Sequence, residues 1–152
     1  MKSEQNKGTL VTGVIGEDTH SIGIKILEHS LAAAGFKIVP LGIQVTQQEF
    51  IEAAVETDAD AILVSSLNGH APIACEGMRE KCMEAGIGDV ILYIGGMLYM
   101  RGKTWEEVEK LFEDMGFDRV YTPACRPRHV INDLTEDLAK KREKSPNQVS
   151  IS

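Results

Sequence analysis

Apolar residues fall in short runs separated by longer stretches in which they recur every three or four positions. The runs read as strands: Thr9–Ile15, Phe36–Leu41, Ala59–Ser66, Val90–Ile94 and Arg119–Thr122. They are rich in Val and Ile and nearly continuous, as strands buried on both faces are. The periodic stretches read as helices. The first spans about Ser21–Ala34, with Ile22, Ile26, Leu27, Leu31 and Ala34 inward and Gly35 stopping it. Thr46 with Glu49, and Thr104 with Glu107, have capping-box spacing and open the second and fourth helices, which run to about Thr57 and to Met115-Gly116. A third is expected over Ala71–Ala85 and a last over Pro127–Lys141. Five βα units imply an α/β, doubly wound parallel sheet with helices on both faces, right-handed crossovers and the order 2-1-3-4-5. The expected divisions are a flexible N-terminus over 1–8, one domain over 9–142 and a flexible tail over 143–152, since the chain is polar from Lys140 onward.

A length of 152 residues fits one domain. Sixteen Lys and Arg face 23 Asp and Glu, giving a net charge of −7. That disfavours nucleic acid and anionic membrane surfaces as partners, because both need clustered cations. No apolar run reaches the ~18–20 residues of a membrane span, and Met1–Gly8 has no apolar signal core. Three cysteines (Cys75, Cys82 and Cys125) do not suggest a disulfide framework. A cytoplasmic protein with free thiols is expected.

Ligands of such sheets sit beyond the carboxyl ends of the strands, near the switch between β1 and β3. The loop after the first strand reads Gly16-Glu17-Asp18-Thr19-His20-Ser21-Ile22-Gly23. It is neither a dinucleotide fingerprint nor a P-loop. Asp18 precedes His20 by two residues, so on an extended segment the carboxylate can hold one imidazole nitrogen and leave the other for a metal. The alternative is a surface pair with Asp18 as a helix cap. The loop after the third strand, Ser65-Ser66-Leu67-Asn68-Gly69-His70, offers hydroxyls to a ligand or to the next helix. After the fourth strand, Gly95-Gly96 permits close backbone approach, and Met97-Leu98-Tyr99-Met100-Arg101 forms either an adaptable wall or an extension of the core. Cys75 and Cys82 have a packing spacing, not a zinc spacing. His29 and His129 are expected at the surface or in packing, and Lys25 with Glu28 on a solvated helix face.

Asp18-x-His20-x-x-Gly23, then Ser65-x-Leu67, then Gly95-Gly96 resembles the three-part pattern of cobalamin-binding domains, in order and in spacing. The stretches Thr12–Gly16, Ala59–Leu67 and Met115–Tyr121 resemble the small, cobalamin-carrying subunits of glutamate mutase (methylaspartate mutase) over about Leu10–Leu138. The resemblance implies a flavodoxin-like cobalamin-binding fold and adenosylcobalamin as cofactor. It implies that His20 replaces the cofactor's own benzimidazole as lower cobalt ligand, while Asp18 accepts a hydrogen bond from the other imidazole nitrogen. Ser65 and Leu67 would line a slot for the displaced nucleotide tail, Gly23 would keep the first helix clear, and Gly95 and Gly96 would let the tail lie on backbone. Glu17, Thr19, Ser21, Ser66 and the segment Met97, Leu98, Tyr99, Met100, Arg101 complete the expected cofactor contacts. The cofactor would supply a radical by cobalt–carbon homolysis.

The resemblance further implies a larger barrel-type subunit carrying the substrate site, two small and two large chains, and interconversion of L-glutamate and threo-3-methylaspartate. No catalytic residue is expected in this subunit. Thr19, Asn68-Gly69-His70 and Met97 depart from the family pattern on the cofactor or subunit face, which bears on substrate and partner more than on cobalamin. Other readings are a corrinoid carrier for another mutase or a methyltransferase, and a cobalamin-binding regulator. The second and third of these usually carry additional helical or DNA-binding domains, for which no room is expected before Thr9. A phospho-receiver would want an aspartate where Ser65-Ser66 stands, and a flavodoxin phosphate loop would not carry Glu17-Asp18.

Overall fold

Five strands form one parallel sheet in the order β2-β1-β3-β4-β5, as the sequence pattern predicts. The computed structural model describes residues 7–15, 22–66, 71–96, 98, 100, 102–122 and 125–144. In chain order the elements are β1 (Thr9–Val14), α1 (Ile22–Ala33), β2 (Lys37–Pro40), α2 (Gln47–Thr57), β3 (Ala61–Ser66), α3 (Ala71–Cys75), α4 (Met78–Glu84), β4 (Ile91–Gly96), α5 (Trp105–Asp114), β5 (Arg119–Val120) and α6 (Pro127–Lys144). β1 pairs with both β2 and β3, so Leu10 lies between Ile38 and Ala61. Ser65 and Ser66 of β3 lie beside Gly95 and Gly96 of β4. The sheet's two edges are short: β2 has four residues and ends on Pro40, and β5 has two.

Successive strand side chains point to opposite faces, which divides the core in two. On one face Ile62, Val64, Leu92 and Ile94 pack with Phe50 of α2, Met78 and Cys82 of α4 and Phe112 of α5. On the other, Leu10, Leu63 and Tyr93 pack with Leu31 of α1 and Val130 and Leu134 of α6. Both capping boxes form, with Thr46 accepting from the Glu49 amide and Thr104 from the Glu107 amide. Cys75 and Cys82 are buried in the core, and burial pushes the Cys75 thiol up to about 12. No described helix is long and apolar enough to cross a membrane.

Several boundaries differ from the sequence reading. The single helix expected over 71–85 is two, because Gly77 adopts φ +78° between α3 and α4. A left-handed residue breaks the helical ladder, and glycine takes that conformation without a Cβ penalty. β4 continues through Gly95 and Gly96, whose neighbours Ser65 and Ser66 extend the ladder. β5 is shorter than expected, and α6 continues to Lys144, three residues past its expected end.

A further difference is the face of α1. Ile26, expected inside, is 56% exposed, while Ile24 is 5% exposed and Leu31 fully buried. The segment Ile22-Gly23-Ile24-Lys25-Ile26-Leu27 offers isoleucines on more than one face, so periodicity alone does not choose. The chosen stripe is Ile24, Glu28, Leu31. Glu28 is therefore not on a solvated face: it accepts a hydrogen bond from the hydroxyl of Thr12 on β1. Lys25, His29 and His129 are exposed.

Candidate functional site

The carboxyl ends of β3, β4 and β5 meet α1 and the start of α6 around a slot of about 330 Å³. Ile24 and Leu27 of α1 form one wall, with Ile26 at the rim. Cys125, Pro127 and Val130 form the opposite wall, and Ser65, Gly95 and Gly96 line the strand ends between them. Tyr93 and Tyr121 complete the floor. Their rings meet edge to face, with centroids 5.4 Å apart at 65°.

Polar ties turn both tyrosine hydroxyls toward α6. Tyr93 donates to Asp137, and Tyr121 donates to Asp133 at 2.8 Å. Arg119 grips Asp137 with two bonds, Nε to Oδ2 at 2.8 Å and Nη2 to Oδ1 at 3.0 Å, and lies 3.5 Å from Asp133. Such a bidentate pair fixes direction as well as distance. Burial, then the carboxylate partners, pushes both phenols above their ordinary range, so the floor is neutral and aromatic.

Burial alone would raise the Asp137 carboxyl, but the bonds from Arg119 and Tyr93 outweigh it and hold the group below its ordinary 3.8. A depressed folded-state value contributes stability above the ordinary value, and that contribution is lost as pH falls through the folded value. Asp137→Asn should therefore lower unfolding free energy near neutral pH by about 1–2 kcal/mol, allowing for solvent screening. The gap between parent and variant in urea unfolding should close below about pH 4. A gap that persisted at low pH would show that the carboxylate charge is not what ties α6 to the floor.

Of the residues singled out in the sequence, Ser65, Gly95 and Gly96 come together in the slot. Ser66 does not: strand alternation turns it to the opposite face, where it is 1% exposed. Leu98 is likewise a core residue, 1% exposed on the α2–α5 face, with Met100 packed against the same cluster. For these two the core alternative holds, because an apolar pair directly after a buried strand gains most by continuing its burial. Gly23 lies in the first turn of α1. Glu17, Asp18, Thr19, His20, Ser21, Leu67, Met97, Tyr99 and Arg101 lie outside the described residues, as do Asn68, Gly69 and His70.

The two glycines serve different neighbours. A Cβ at Gly95 would lie 3.3 Å from the Cβ of Tyr121, so its absence lets Tyr121 close the floor. Gly96 has φ +109°, and a Cβ there would overlap the Ser66 carbonyl. Sequence reasoning missed Tyr93, Tyr121, Cys125 and Val130 altogether. Their only available signal was Tyr121 at the carboxyl end of a predicted strand, two residues beyond a charged Arg119.

The B12 binding domain family matches residues 8–111. The chain is 54% identical over 132 residues to the glutamate mutase sigma subunit of Clostridium tetani, covering 87% of this chain and 96% of that protein. To the sigma subunit of Carboxydothermus hydrogenoformans it is 55% identical over 129 residues, covering 85% and 94%. To that of Clostridium cochlearium it is 51% identical over 132 residues, covering 87% and 96%. Among solved structures, a cobalamin-binding protein from Desulfitobacterium hafniense superposes with a TM-score of 0.71 at 17% identity, over 88% of this chain and 60% of its own length. A response-regulator receiver domain from Mycobacterium tuberculosis superposes at 0.58 and 10% identity, over 86% and 98%. At those identities the two structures show a shared fold alone.

Proposed function

The chain belongs to the B12-binding domain family and, within it, to the glutamate mutase sigma subunits, and from that premise we propose that it carries adenosylcobalamin to a larger, barrel-type partner that binds L-glutamate. It is a cobalamin-carrying mutase subunit, an isomerase component. In this reading two small and two large chains assemble in the cytoplasm and interconvert L-glutamate and threo-3-methylaspartate. When bound, the cofactor supplies the radical chemistry of the rearrangement. Everything this chain contributes is binding, orientation and exclusion of water.

The observation that carries the reading is the slot. It opens at the carboxyl end of the sheet, and Gly95, with no side chain, lets Tyr121 close its floor. Its floor is neutral and aromatic, and its walls are the aliphatic Ile24, Leu27 and Val130. A flat apolar group gains by burial there, and a benzimidazole nucleotide tail is such a group. Ser65 supplies one hydroxyl for the tail's polar atoms. Leu67 and Gly23 border the tail, and Met97, Tyr99 and Arg101 meet its nucleotide end. Glu17, Thr19 and Ser21 complete the contacts around the cofactor. His20 would hold the cobalt through one imidazole nitrogen, and Asp18 would fix its tautomer through the other.

The test is a cobalamin titration of the purified chain containing ¹⁵N-histidine, read by visible absorption and by electron paramagnetic resonance of the reduced cobalt(II) form. Coupling from a histidine nitrogen is the expected result, and coupling from the cofactor's own benzimidazole would overturn the assignment. The chain alone should not turn over glutamate. Turnover without a second subunit would contradict the division of labour.

A further inference from the structure

The inward stripe of α1 contains a carboxylate. Ile24, Glu28 and Leu31 follow one another at helical spacing, and the first and last are buried. Glu28 meets Thr12 in the middle of β1, a residue with no exposed surface. A hydroxyl so placed has no access to bulk water, and leaving it without an acceptor would cost more than the bond's net worth. The pairing is therefore enforced.

Its position gives it a consequence for the slot. Ile24 lies one turn from Glu28, and Leu27 is its neighbour; both form the α1 wall. Hydrophobic contacts are non-directional, so apolar packing alone lets a helix slide or roll over a sheet. A hydrogen bond weakens steeply with angle and distance, so it fixes both. The opposite wall is already fixed in this way, through Tyr93 with Asp137 and Tyr121 with Asp133. We propose that the Thr12–Glu28 hydrogen bond fixes the α1 wall and so sets the width of the slot, which makes Thr12 and Glu28 positioning residues for the nucleotide tail of the corrinoid. The proposal rests on the cobalamin reading above.

A corrinoid that lacks the nucleotide tail separates slot width from general stability. Binding of cobalamin and of tail-less cobinamide is compared for the parent chain, Thr12→Val and Thr12→Ser. Thr12→Val keeps the shape and removes the donor; it should bind cobalamin about tenfold more weakly and leave cobinamide within about twofold. Thr12→Ser restores the hydroxyl and should restore cobalamin binding. Glu28→Ala removes the acceptor from the helix side and carries the same expectation if the strand variant does not fold. Equal cobalamin binding by parent and variants overturns the positioning role, as does parallel weakening toward both corrinoids. A parent chain that binds no cobalamin overturns the carrier reading and this inference together.

Discussion

In the His20→Ala chain, cobalt(II) should lose the splitting produced by a nitrogen lower ligand, and cobalamin affinity should fall by about a hundredfold or more. Loss of an outer-sphere partner alone already costs about 10–100-fold in metal sites, and on the proposed assignment the variant removes the ligand itself. Segment 16–21 is bounded by two fixed points. Ile15 bridges Val45 beyond the end of β1, and Ile22 opens α1, whose next turn walls the slot. On the proposed reading the nucleotide tail would be held between α1 and α6, away from cobalt, so the variant should show no nitrogen splitting from either source. Added imidazole should restore the signal, because it replaces the missing ring without altering the chain. An unchanged spectrum in His20→Ala would remove His20 from the metal and, with it, the role given to Asp18.

Gly96→Ala should destabilise the fold by about 3 kcal/mol. Two costs combine. The backbone sits at φ +109°, where an L side chain is strained by about 1–3 kcal/mol. The new Cβ would also overlap the Ser66 carbonyl, and crowding of a packed site costs about 1–3 kcal/mol more. Backbone, unlike a flexible side-chain end, cannot move aside without parting β3 from β4. Urea unfolding should show a lower midpoint with an unchanged slope. A loss below about 1 kcal/mol would mean that the strand ends yield, and that Gly96 serves a ligand and not its neighbouring strand.

Local chemistry made most of the fold legible. Thr46 with Glu49 and Thr104 with Glu107 are capping boxes within four residues, and both form. Continuous Val and Ile runs alternating with helices fix a parallel sheet, and its strand order follows from the doubly wound pattern. What stayed hidden depends on distant partners. Nothing near Glu28 announces that Thr12 will draw it inward, so the rotation of α1 was invisible to periodicity. Tyr93 and Asp137 are 44 residues apart, and only the packing of α6 beneath β4 brings them together. Gly95-Gly96 was legible as a site where chains approach closely, but not as two glycines with two separate neighbours. Leu98 had two readings, wall or extension of the core, and the structure places it in the core.

The sheet's two margins constrain how this subunit can meet another chain. A strand of four residues closing on a proline, which lacks an amide donor, and a strand of two residues offer almost no open row of backbone donors and acceptors. An approaching chain finds little to zip onto at either described edge. Copies at high concentration therefore lack the template that leads to edge-to-edge association and fibres. Docking must use side chains and loops, and such an interface can release its partner without tearing a ladder.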